Sequence, residues 1–332
     1  MTIKDLSAQT GYSVGTVSRV LNNQPNVSEK ARLAILEAAE KSGFQLNTNA
    51  KQLKQRHSNS VLVVVRGTNN ELFGGMMEII QARMAATSHQ LIVDHIDEHS
   101  NEVTRGLQLC REKKPLGILF LGGNREHFRE GFGKIDVPCV LVTSDASGLG
   151  FENLSSVSTD DALAAKTAIE ALVDIGHRKI AVIGGDRQES DIAALRYRGC
   201  MEAFRQRGID FEEEQDYESA RFSFGDGYRA AKELMARGRE FTAIFAMSDV
   251  MAIGAIRALR DGGLDVPRDV AVMGFDGLAV GGYTVPTLST VCQGVEEMAG
   301  RSMELLLESI GGDQMPRHET VPFTVQLRES AK

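Results

Sequence analysis

The chain of 332 residues contains no tryptophan, only four cysteines and seven prolines. The cysteines lie far apart and form no C-x-x-C pair, so the sequence predicts neither a zinc site nor a disulfide framework. No apolar run approaches the roughly 20 residues that span a bilayer. The first residues, MTIKDLSAQ, lack the basic and apolar regions of a signal peptide. These absences predict a cytoplasmic protein without a membrane partner.

Motifs that hold a cofactor or carry out catalysis are missing as well. Gly122-Gly123 and Gly184-Gly185 follow apolar runs, but neither pair completes G-x-G-x-x-G, and there is no Walker A sequence. The seven histidines are scattered without the spacing of metal ligands. The sequence therefore predicts a protein that is not an enzyme and that needs no cofactor and no metal.

Charge is present but unevenly distributed. The formal net charge is −8, yet residues 1–57 hold eight lysines and arginines against four acidic residues, and the remainder holds 29 basic and 41 acidic ones. A basic N-terminal segment on an acidic body favours a small polyanion-binding unit attached to a larger globular one. On charge alone, a merely basic and solvated domain is the alternative.

Three short helices are predicted in the basic segment. Thr2 and Asp5 have the spacing of a capping box for the first helix, which Gly11 is placed to end. Ser13 is placed to cap the second helix, and the third is predicted from Ser28 to Gly43. The inward positions of the third helix are predicted to be Ala31, Ala34, Ile35 and Ala38. A glycine turn between the first two helices is typical of a helix-turn-helix, whose second helix fits the major groove.

The second helix, SVGTVSRVLNN, has one face for the core and another for DNA. Val17, Val20 and Leu21 recur at three- and four-residue spacing, so these side chains are predicted to pack inward. The positions left on the other sides are Val14, Gly15, Thr16, Ser18, Arg19 and Asn22. Because an arginine can pair bidentately with guanine, this segment is predicted to be the recognition helix.

The run TIKDLSAQTGYSVGTVSRVLNNQPNVSEKARLAILEAAEKSGF resembles the head of LacI-family transcriptional regulators, of the lactose-repressor and GalR type. The resemblance implies that Val14 and Gly15 read base edges by apolar contact or close backbone approach, and that Arg19 reads a guanine. It assigns the remaining polar residues to phosphate contacts or helix caps, namely Thr2, Ser13, Thr16, Ser18 and Asn22.

The next segment, FQLNTNAKQLKQRHSNS, resembles the hinge of the same family, a short helix that orders on operator DNA. Leu53 corresponds to the leucine that enters the minor groove and kinks the duplex. Asn47 and Ala50 also match the pattern, and Lys51 is predicted to contact phosphate. Leu46 stands where the family usually has a proline that pre-sets the helix start. Without DNA, a flexible polar linker is the alternative.

From Ser60 onward, short apolar runs alternate with helical stretches. The runs are SVLVVVR, QLIVDHI, GILFLGG, CVLVTS, KIAVIGG, AIFAMSD and VAVMGFDG. Such alternation is typical of parallel sheets wound with helices. It occurs in two similar halves, the second beginning near Val157, and a final helix (Val295 to Ile310) and strand (Thr320 to Leu327) are predicted. The sequence thus predicts two doubly wound α/β lobes with a cleft between them, and these resemble a type I periplasmic binding protein.

The predicted organisation is a small all-α helix-turn-helix head on an α/β core. Residues 1–57 are predicted to form the head, with the hinge helix at about residues 47–55, and residues 58–332 the core that binds an effector and dimerises. The predicted lobes are about 58–157 with 292–318, and about 158–291 with 319–330.

The resemblance also implies effector contacts beyond the carboxyl ends of the strands. Leu72 and Phe73 would floor the pocket, with a core role as the alternative. Arg196, in the R-x-x-G pattern of LRYRGCMEAF, would clamp hydroxyl or carboxylate oxygens. Phe222 would stack on the ligand, or else serve as an ordinary buried aromatic side chain.

Three further residues complete the predicted effector site. Asp276 in GFDG ends a strand, where a carboxylate can accept two hydroxyl hydrogen bonds from one sugar. Ser248 stands where relatives often carry asparagine, and Gln293 would line a crossover between the lobes. An arginine and an aspartate with an aromatic face between them favour a sugar or sugar derivative. A purine or an amino acid is the alternative, because the scaffold binds all three classes.

The sequence therefore predicts a sequence-specific DNA-binding transcriptional regulator, a repressor controlled by a small polar effector. One helix-turn-helix covers half of a pseudo-palindromic double-stranded operator, so a homodimer is expected. The chain stops at TVQLRESAK without leucine heptads, so a tetramer is not expected. The alternatives are a solute-binding protein, which would need an export signal, and a cytosolic sugar enzyme, which would leave the basic head unused.

Overall fold

The computed structural model of the chain describes residues 2–21, 25, 27–44, 58–67, 70–188, 190–312 and 315–332. The chain divides into two units, Met1–His57 and Ser58–Lys332. None of the described helices combines the length and the apolar composition that a bilayer crossing requires.

The smaller unit holds the three predicted helices, α1 (Ile3–Thr10), α2 (Val14–Leu21) and α3 (Glu29–Lys41). Gly11 has a φ of 72°, so the chain turns sharply after α1 without the strain that a side chain would add there. The buried apolar residues are Leu6, Val17, Val20, Ala31, Ile35 and Ala39. Ala34 was predicted to face inward but is exposed. Ala39, four residues after Ile35, takes the inward position instead.

The larger unit contains two six-stranded sheets, each the centre of one lobe. The N-lobe sheet has the order β11-β5-β4-β3-β1-β2, with every pair parallel. Its strands are β1 (Ser60–Arg66), β2 (Gln90–Ile96), β3 (Gly117–Leu121), β4 (Cys139–Val142), β5 (Leu154–Ser158) and β11 (His318–Thr320).

Helices cover both faces of the N-lobe sheet. Side chains alternate along β1, so Val61 and Val63 pack towards α4 (Glu71–Ala85) and α12 (Val295–Ile310). Leu62 lies on the other face, in the cluster that includes residues of two further helices. These helices are α5 (Glu102–Lys113) and α6 (Arg125–Gly131). The lobe is therefore doubly wound, as predicted.

The C-lobe sheet has the order β12-β10-β9-β8-β6-β7, with one antiparallel pair, β10 and β12, among its described strands. Its strands are β6 (Ile180–Gly184), β7 (Tyr217–Ser219), β8 (Ala243–Ala246), β9 (Ala271–Asp276), β10 (Ser289–Gln293) and β12 (Phe323–Gln326). Its helices are α7 (Asp161–Asp174), α8 (Asp191–Arg207), α9 (Glu213–Asp216), α10 (Phe224–Ala236) and α11 (Asp249–Asp261).

The chain passes between the lobes three times, and the last passage differs from the prediction. The single strand predicted from Thr320 to Leu327 is two short strands, β11 in the N-lobe and β12 in the C-lobe. Pro322 lies between them, and a proline has no N–H to continue a strand ladder. The first passage therefore follows β5, the second lies at Gly294 between β10 and α12, and the third lies at Val321 and Pro322 between β11 and β12.

Candidate functional site

The α2 helix presents an exposed surface at its start. Ser13 Oγ accepts a hydrogen bond from Thr16 N at 3.1 Å, which caps the helix. Val14 is 45% exposed, and Gly15 and Arg19 also lie at the surface. Among the described residues, none forms an ion pair with Arg19, so its guanidinium is free to approach an external acceptor. The geometry is that of a helix whose first turn and one following arginine can enter a groove.

The other polar residues predicted for the head have mixed positions. Thr2 N donates to Asp5 Oδ2 at 2.7 Å and Asp5 N donates to Thr2 Oγ1 at 3.3 Å, which forms the capping box and lowers the pKa of Asp5. Thr16 and Ser18 are half-buried on α2. Six residues of the sequence predictions lie outside the described residues. They are Asn22 after α2, the hinge residues Asn47, Ala50, Lys51 and Leu53, and Leu46, which stands where the family usually has a proline.

In the core, the carboxyl ends of the strands meet a cavity of about 770 Å³ between the lobes, a size typical of ligand sites. Its apolar lining includes Phe73, Met77 and Val93 of the N-lobe with Phe222, Phe224 and Val250 of the C-lobe. Thr143, after β4, has a φ of 75°, and Asp276, ending β9, has a φ of 125°. Residues with a side chain rarely adopt such angles, and strain of this kind concentrates at binding sites.

Close packing of α7 and α8 brings Arg196 to this edge of the C-lobe. A Cβ on Gly199 would lie 2.0 Å from the carbonyl oxygen of Ala162, so only glycine lets the two helices touch here. Three residues earlier, Arg196 Nε donates to Asp161 Oδ1 at 2.7 Å. The glycine of the R-x-x-G pattern therefore has a structural reason, which is to place the arginine against the start of α7.

Arg196 is a buried cation, with 4% of the residue exposed. Its Nη1 donates to the carbonyl oxygen of Met247 and lies 3.8 Å from Asp276 Oδ1. The guanidinium carbon lies 3.6 Å from the centre of the Phe275 ring, a cation–π arrangement. Among the described residues, none accepts a hydrogen bond from Nη2. Arg196 is thus fixed by the protein, with one nitrogen left for a ligand.

Two carboxyl groups lie beside this arginine at different depths. Gln293 Nε2 donates to Asp276 Oδ1 at 2.8 Å. Asp249, which has no exposed surface, accepts a hydrogen bond from Leu278 N at 2.6 Å and lies 2.5 Å from Thr290 Oγ1. Burial raises the pKa of Asp276 to about 6, and burial with the charge of Asp276 raises the pKa of Asp249 to about 8. These shifts predict that, at neutral pH, a proton is held by Asp249 rather than by Asp276.

The seven predicted effector residues fall into three groups. Phe73 and Phe222 line the cavity. Arg196, Asp276 and Gln293 form the polar cluster just described. Leu72 and Ser248 are buried within their lobes: Leu72 N donates to Asn70 Oδ1 at 3.0 Å, and Ser248 Oγ caps α11 by accepting from Met251 N at 3.3 Å. Leu72 packs in the hydrophobic cluster of the N-lobe, and whether it also contacts an effector stays a prediction.

Three residues of the polar cluster were not predicted from the sequence, namely Asp161, Asp249 and Thr290. Both acids directly follow a strand and begin a helix, in the runs STDD and AMSD. An acid at a helix start is ordinarily explained by the helix dipole, so no local signal separated these two. Within the described ranges, no group of three or more His, Cys, Asp or Glu residues is arranged to hold a metal ion.

Two polar contacts link the lobes across the cleft in the described part of the chain. Arg221, just before α10, forms an ion pair with Glu98, just after β2. Arg125 N donates to Asp191 Oδ2 at 2.7 Å. The strands β2 and β7 lie at the sheet edges opposite those where the chain passes between the lobes. The Glu98–Arg221 pair therefore closes the cleft on the side away from the connecting segments.

Two family models match the chain. The model described as bacterial regulatory proteins, lacI family, matches residues 2–47, and the periplasmic binding protein-like domain matches residues 169–331. The transcriptional regulator MalR of Clostridium butyricum is 33% identical over 99% of each chain. GalR of Escherichia coli K12 is 31% identical over 95% of this chain and 91% of its own. Both relatives are named as regulators, not as enzymes.

Solved structures show the same fold. The transcriptional regulator CelR in complex with cellobiose has a TM-score of 0.73 and 28% identity, with 99% of each chain covered. The lac repressor dimer bound to operator and the anti-inducer ONPF has a TM-score of 0.79 over 100% of this chain and 99% of its own, but at 22% identity it supports the fold alone. Together with the full-length relatives above 30% identity, the helix-turn-helix head and the two-lobed core place this chain in the LacI family of bacterial regulatory proteins.

Proposed function

We propose that the protein is a cytoplasmic repressor that binds a pseudo-palindromic operator as a homodimer and responds to a sugar in the cleft between its lobes. The observation that carries the proposal is the presence, in one chain, of an exposed reading helix and of an aromatic-lined cavity between two lobes, one of which has a buried polar cluster at the carboxyl edge of its sheet. The first feature recognises DNA, and the second recognises a small polar molecule.

The surface of α2 supports sequence-specific DNA binding. Val14 and Gly15 offer apolar contact and close backbone approach, which suit a thymine methyl group. Arg19 lies five residues after Val14 and suits the O6 and N7 atoms of guanine. Since Ser13 caps the helix, its start is held firmly while these residues face outward. Backbone phosphates would be met by the hinge, where Lys51 is the proposed contact.

An exposed apolar loop of the C-lobe supports the dimer. Tyr283 is 88% exposed and Val285 is 74% exposed, and Val280 is exposed nearby in the same loop. Clustered exposed apolar side chains commonly mark a protein interface. A second copy of this chain is the proposed partner, because a palindromic operator requires two reading helices related by a two-fold axis.

The chemistry of the cleft supports a sugar as the effector. Phe73 and Phe222 come from different lobes and offer apolar faces for the C–H groups of a sugar ring. Asp276 and Arg196 Nη2 offer an acceptor and a donor for its hydroxyls. A purine would use the rings but leave the carboxylate without several hydroxyl donors, and an amino acid would bring a carboxylate of its own. Among solved relatives, CelR is described with cellobiose and a regulator of Enterococcus faecium with ribose.

The test is selection of bound sequences from random DNA with the full-length protein, followed by affinity measurements on the selected site with and without candidate effectors. The panel contains sugars, nucleobases and amino acids. A two-fold symmetric motif whose affinity changes with a sugar is expected. Failure to enrich any motif would remove the regulator function proposed here, and a response to a nucleobase or amino acid alone would remove the sugar.

A further inference from the structure

The chain enters the larger unit at the amino edge of the N-lobe sheet, opposite the edge that meets the cleft. Ser58, the first residue of this unit, donates from its backbone N to the carbonyl oxygen of Lys114 at 2.8 Å, and its Oγ donates to the same oxygen at 3.2 Å. Ser58 precedes β1 and Lys114 precedes β3, and these strands are parallel neighbours. The end of α5 therefore lies directly beside the point where the segment from the head joins the core.

Three exposed cations occupy the end of α5, and they form what we call the basic patch. They are Arg111, Lys113 and Lys114. Residues 58–332 carry 29 basic and 41 acidic side chains, so acidic partners are abundant in this unit. Other cations of the same lobe take such partners, and their pairs are Arg83 with Glu304, Arg105 with Asp94, Arg129 with Glu126, Arg301 with Glu319 and Arg317 with Glu308. Within the described ranges, none of the three cations of the basic patch forms an ion pair.

Two acidic side chains lie close to the basic patch and leave it positive overall. Glu112 accepts a hydrogen bond from Gln108 Nε2 at 2.9 Å. Burial, together with the charge of Asp136, raises the pKa of Cys110 to about 11, so Asp136 lies near the last turn of α5. Lys134, two residues before Asp136, is exposed as well. With these residues included, four cations stand against two acids. A positive surface on an otherwise acidic unit favours a polyanion as its partner.

The backbone of Lys114 provides a second, independent observation. Lys114 ends α5 with a φ of 51° and a ψ of 53°, in the left-handed region. Two other described helices end in the same region, α1 at Gly11 with a φ of 72° and α8 at Gly208 with a φ of 62°. Glycine adopts these angles without strain, whereas a lysine does not. A lysine where two other helices of this chain use glycine indicates that its side chain contributes something that the turn itself does not require.

The length of the chain places the basic patch within reach of bound DNA. Lys51, the phosphate contact proposed for the hinge, is seven residues before Ser58. Seven residues span at most about 25 Å, which is less than the roughly 34 Å of one helical turn of the duplex. Since the carbonyl oxygen of Lys114 accepts a hydrogen bond from Ser58, phosphates in the turn that the hinge contacts are within reach of the patch.

We propose that Arg111, Lys113 and Lys114 form a second DNA-contact surface, on the core itself, which binds backbone phosphates beside those met by the hinge. This inference rests on the proposed function, since it requires a protein that binds an operator. Contacts to phosphates carry no base information, so the patch should add affinity without adding sequence preference. The patch is separate from the effector site, because the length of β1, roughly 20 Å, lies between the two edges of the sheet.

The salt dependence of binding to the selected operator tests the proposal with the full-length protein. The variant carries both Lys113→Gln and Lys114→Gln. The slope of log affinity against log salt concentration falls by about 0.9 for each phosphate contact removed, so a dimer that loses four contacts should have a slope shallower by up to about 3.5. At about 0.1 M salt the affinity should fall at least tenfold, on specific and random DNA alike, with the selected motif unchanged. A slope that changes by less than about 1 overturns the proposal.

A matched control separates the basic patch from exposed cations in general. Arg205 is an exposed cation in the last turn of α8, in the other lobe, and it forms no ion pair with a described residue. Like Arg111 and Lys113, it has a favourable interaction with the carboxyl end of its helix. Arg205→Gln should therefore keep the wild-type slope. If it changed the slope as much per charge removed as the double variant does, the effect would come from net charge and the proposed surface would be excluded.

Replacing Lys114 with glycine tests whether this lysine serves the DNA or the turn. Glycine adopts the left-handed angles without strain, so the melting temperature of Lys114→Gly should not fall, whereas its affinity for the operator should. Lys114→Arg keeps the charge and should keep the wild-type slope. A lower melting temperature with unchanged operator affinity for Lys114→Gly would show that the lysine is structural, and would refute the proposal.

Ethylation of single phosphates locates the contacts. In the wild type, ethylated phosphates beside the hinge contact should block binding, and the double variant should lose part of that set. The same set in both proteins overturns the proposal, and an acidic protein as the true partner of the patch would give this result. These failures differ from failure of the proposed function. A wild type that enriches no operator loses the function, whereas one that enriches an operator with unchanged salt dependence in the double variant loses this inference alone.

Discussion

Replacing Asp249 with asparagine tests whether the acid buried beside the effector site is neutral at physiological pH. Leu278 N donates to Oδ2 at 2.6 Å, and Thr290 Oγ1 lies 2.5 Å from Oδ1. The Thr290 hydroxyl also lies 3.3 Å from the carbonyl oxygen of Val291, so it can donate there while accepting from a protonated Asp249. An asparagine can place its oxygen at the Leu278 amide and its amino group at Thr290. Asp249→Asn therefore reproduces the hydrogen bonds of the protonated acid.

The expected magnitude follows from the pKa of Asp249, which burial and the charge of Asp276 raise to about 8, against about 3.9 in an unfolded chain. Because the folded pKa is the higher one, the contribution of this group to stability is complete below about pH 4 and is lost as pH rises through about 8. Between these values the free energy of unfolding falls by about 1.4 kcal/mol per pH unit. For a domain of this size, that is roughly 3–5 °C in melting temperature per pH unit.

The assay is a thermal melt of the wild type and of Asp249→Asn at each half pH unit from 5 to 8, at constant ionic strength. We expect the melting temperature of the variant to gain on that of the wild type as pH rises. Burial lowers the pKa values of His177 and His318, so these groups make the protein more stable as pH rises. Both proteins contain them, so their contribution cancels in the difference between the two melting curves. Asp261→Asn, an exposed acid of the same helix whose pKa is lowered by Arg257, should run parallel to the wild type. Parallel curves for Asp249→Asn would refute a neutral Asp249.

Three further predictions concern DNA, closure and assembly. Arg19→Ala should cost roughly 1–3 kcal/mol on the cognate site and relax one base position per half-site, whereas Lys51→Ala should weaken all sequences alike; an unchanged motif in sequence selection would contradict this. Glu98→Gln should lower effector affinity by up to about fivefold and reduce its salt dependence, because an exposed pair with Arg221 is worth little; calorimetry at two salt concentrations decides. Tyr283→Ser should shift sedimentation at micromolar concentration from dimer to monomer, and an unaffected dimer would place the interface elsewhere.

The strands and helices of this chain were largely predictable because each is encoded locally. The run SVLVVVR became β1 with the predicted limits, since a continuous apolar run of this length fits a strand buried on both faces. The end of the chain was not predicted correctly. A single apolar–polar alternation extends from Thr320 to Leu327, and its pattern does not show that the two halves pair with different sheets. Pro322 was the local signal, because it cannot take part in a ladder.

The site was less predictable, because its geometry depends on contacts between distant residues. Arg196 was predicted to clamp a ligand, but Asp161, 35 residues earlier, and the carbonyl oxygen of Met247 take two of its donors. That arrangement requires α7 and α8 to touch at Gly199, which no property of either helix alone reveals. The positive φ angle of Thr143 is equally hidden, since a β-branched residue rarely adopts such an angle.

The topology of the core restricts how an effector can act. The segments that connect the lobes lie at one edge of the two sheets, beside β5 and β10, and the Glu98–Arg221 pair lies at the other edge. Relative motion of the lobes is therefore a rotation that opens or closes the edge at which the Glu98–Arg221 pair lies. A ligand shifts this equilibrium only if it binds one state more tightly than the other. A ligand that contacts both lobes, for example through Phe73 of the N-lobe and Phe222 of the C-lobe, is expected to bind the closed state more tightly, whereas one that contacts a single lobe is expected to bind both states alike and to leave the equilibrium unchanged.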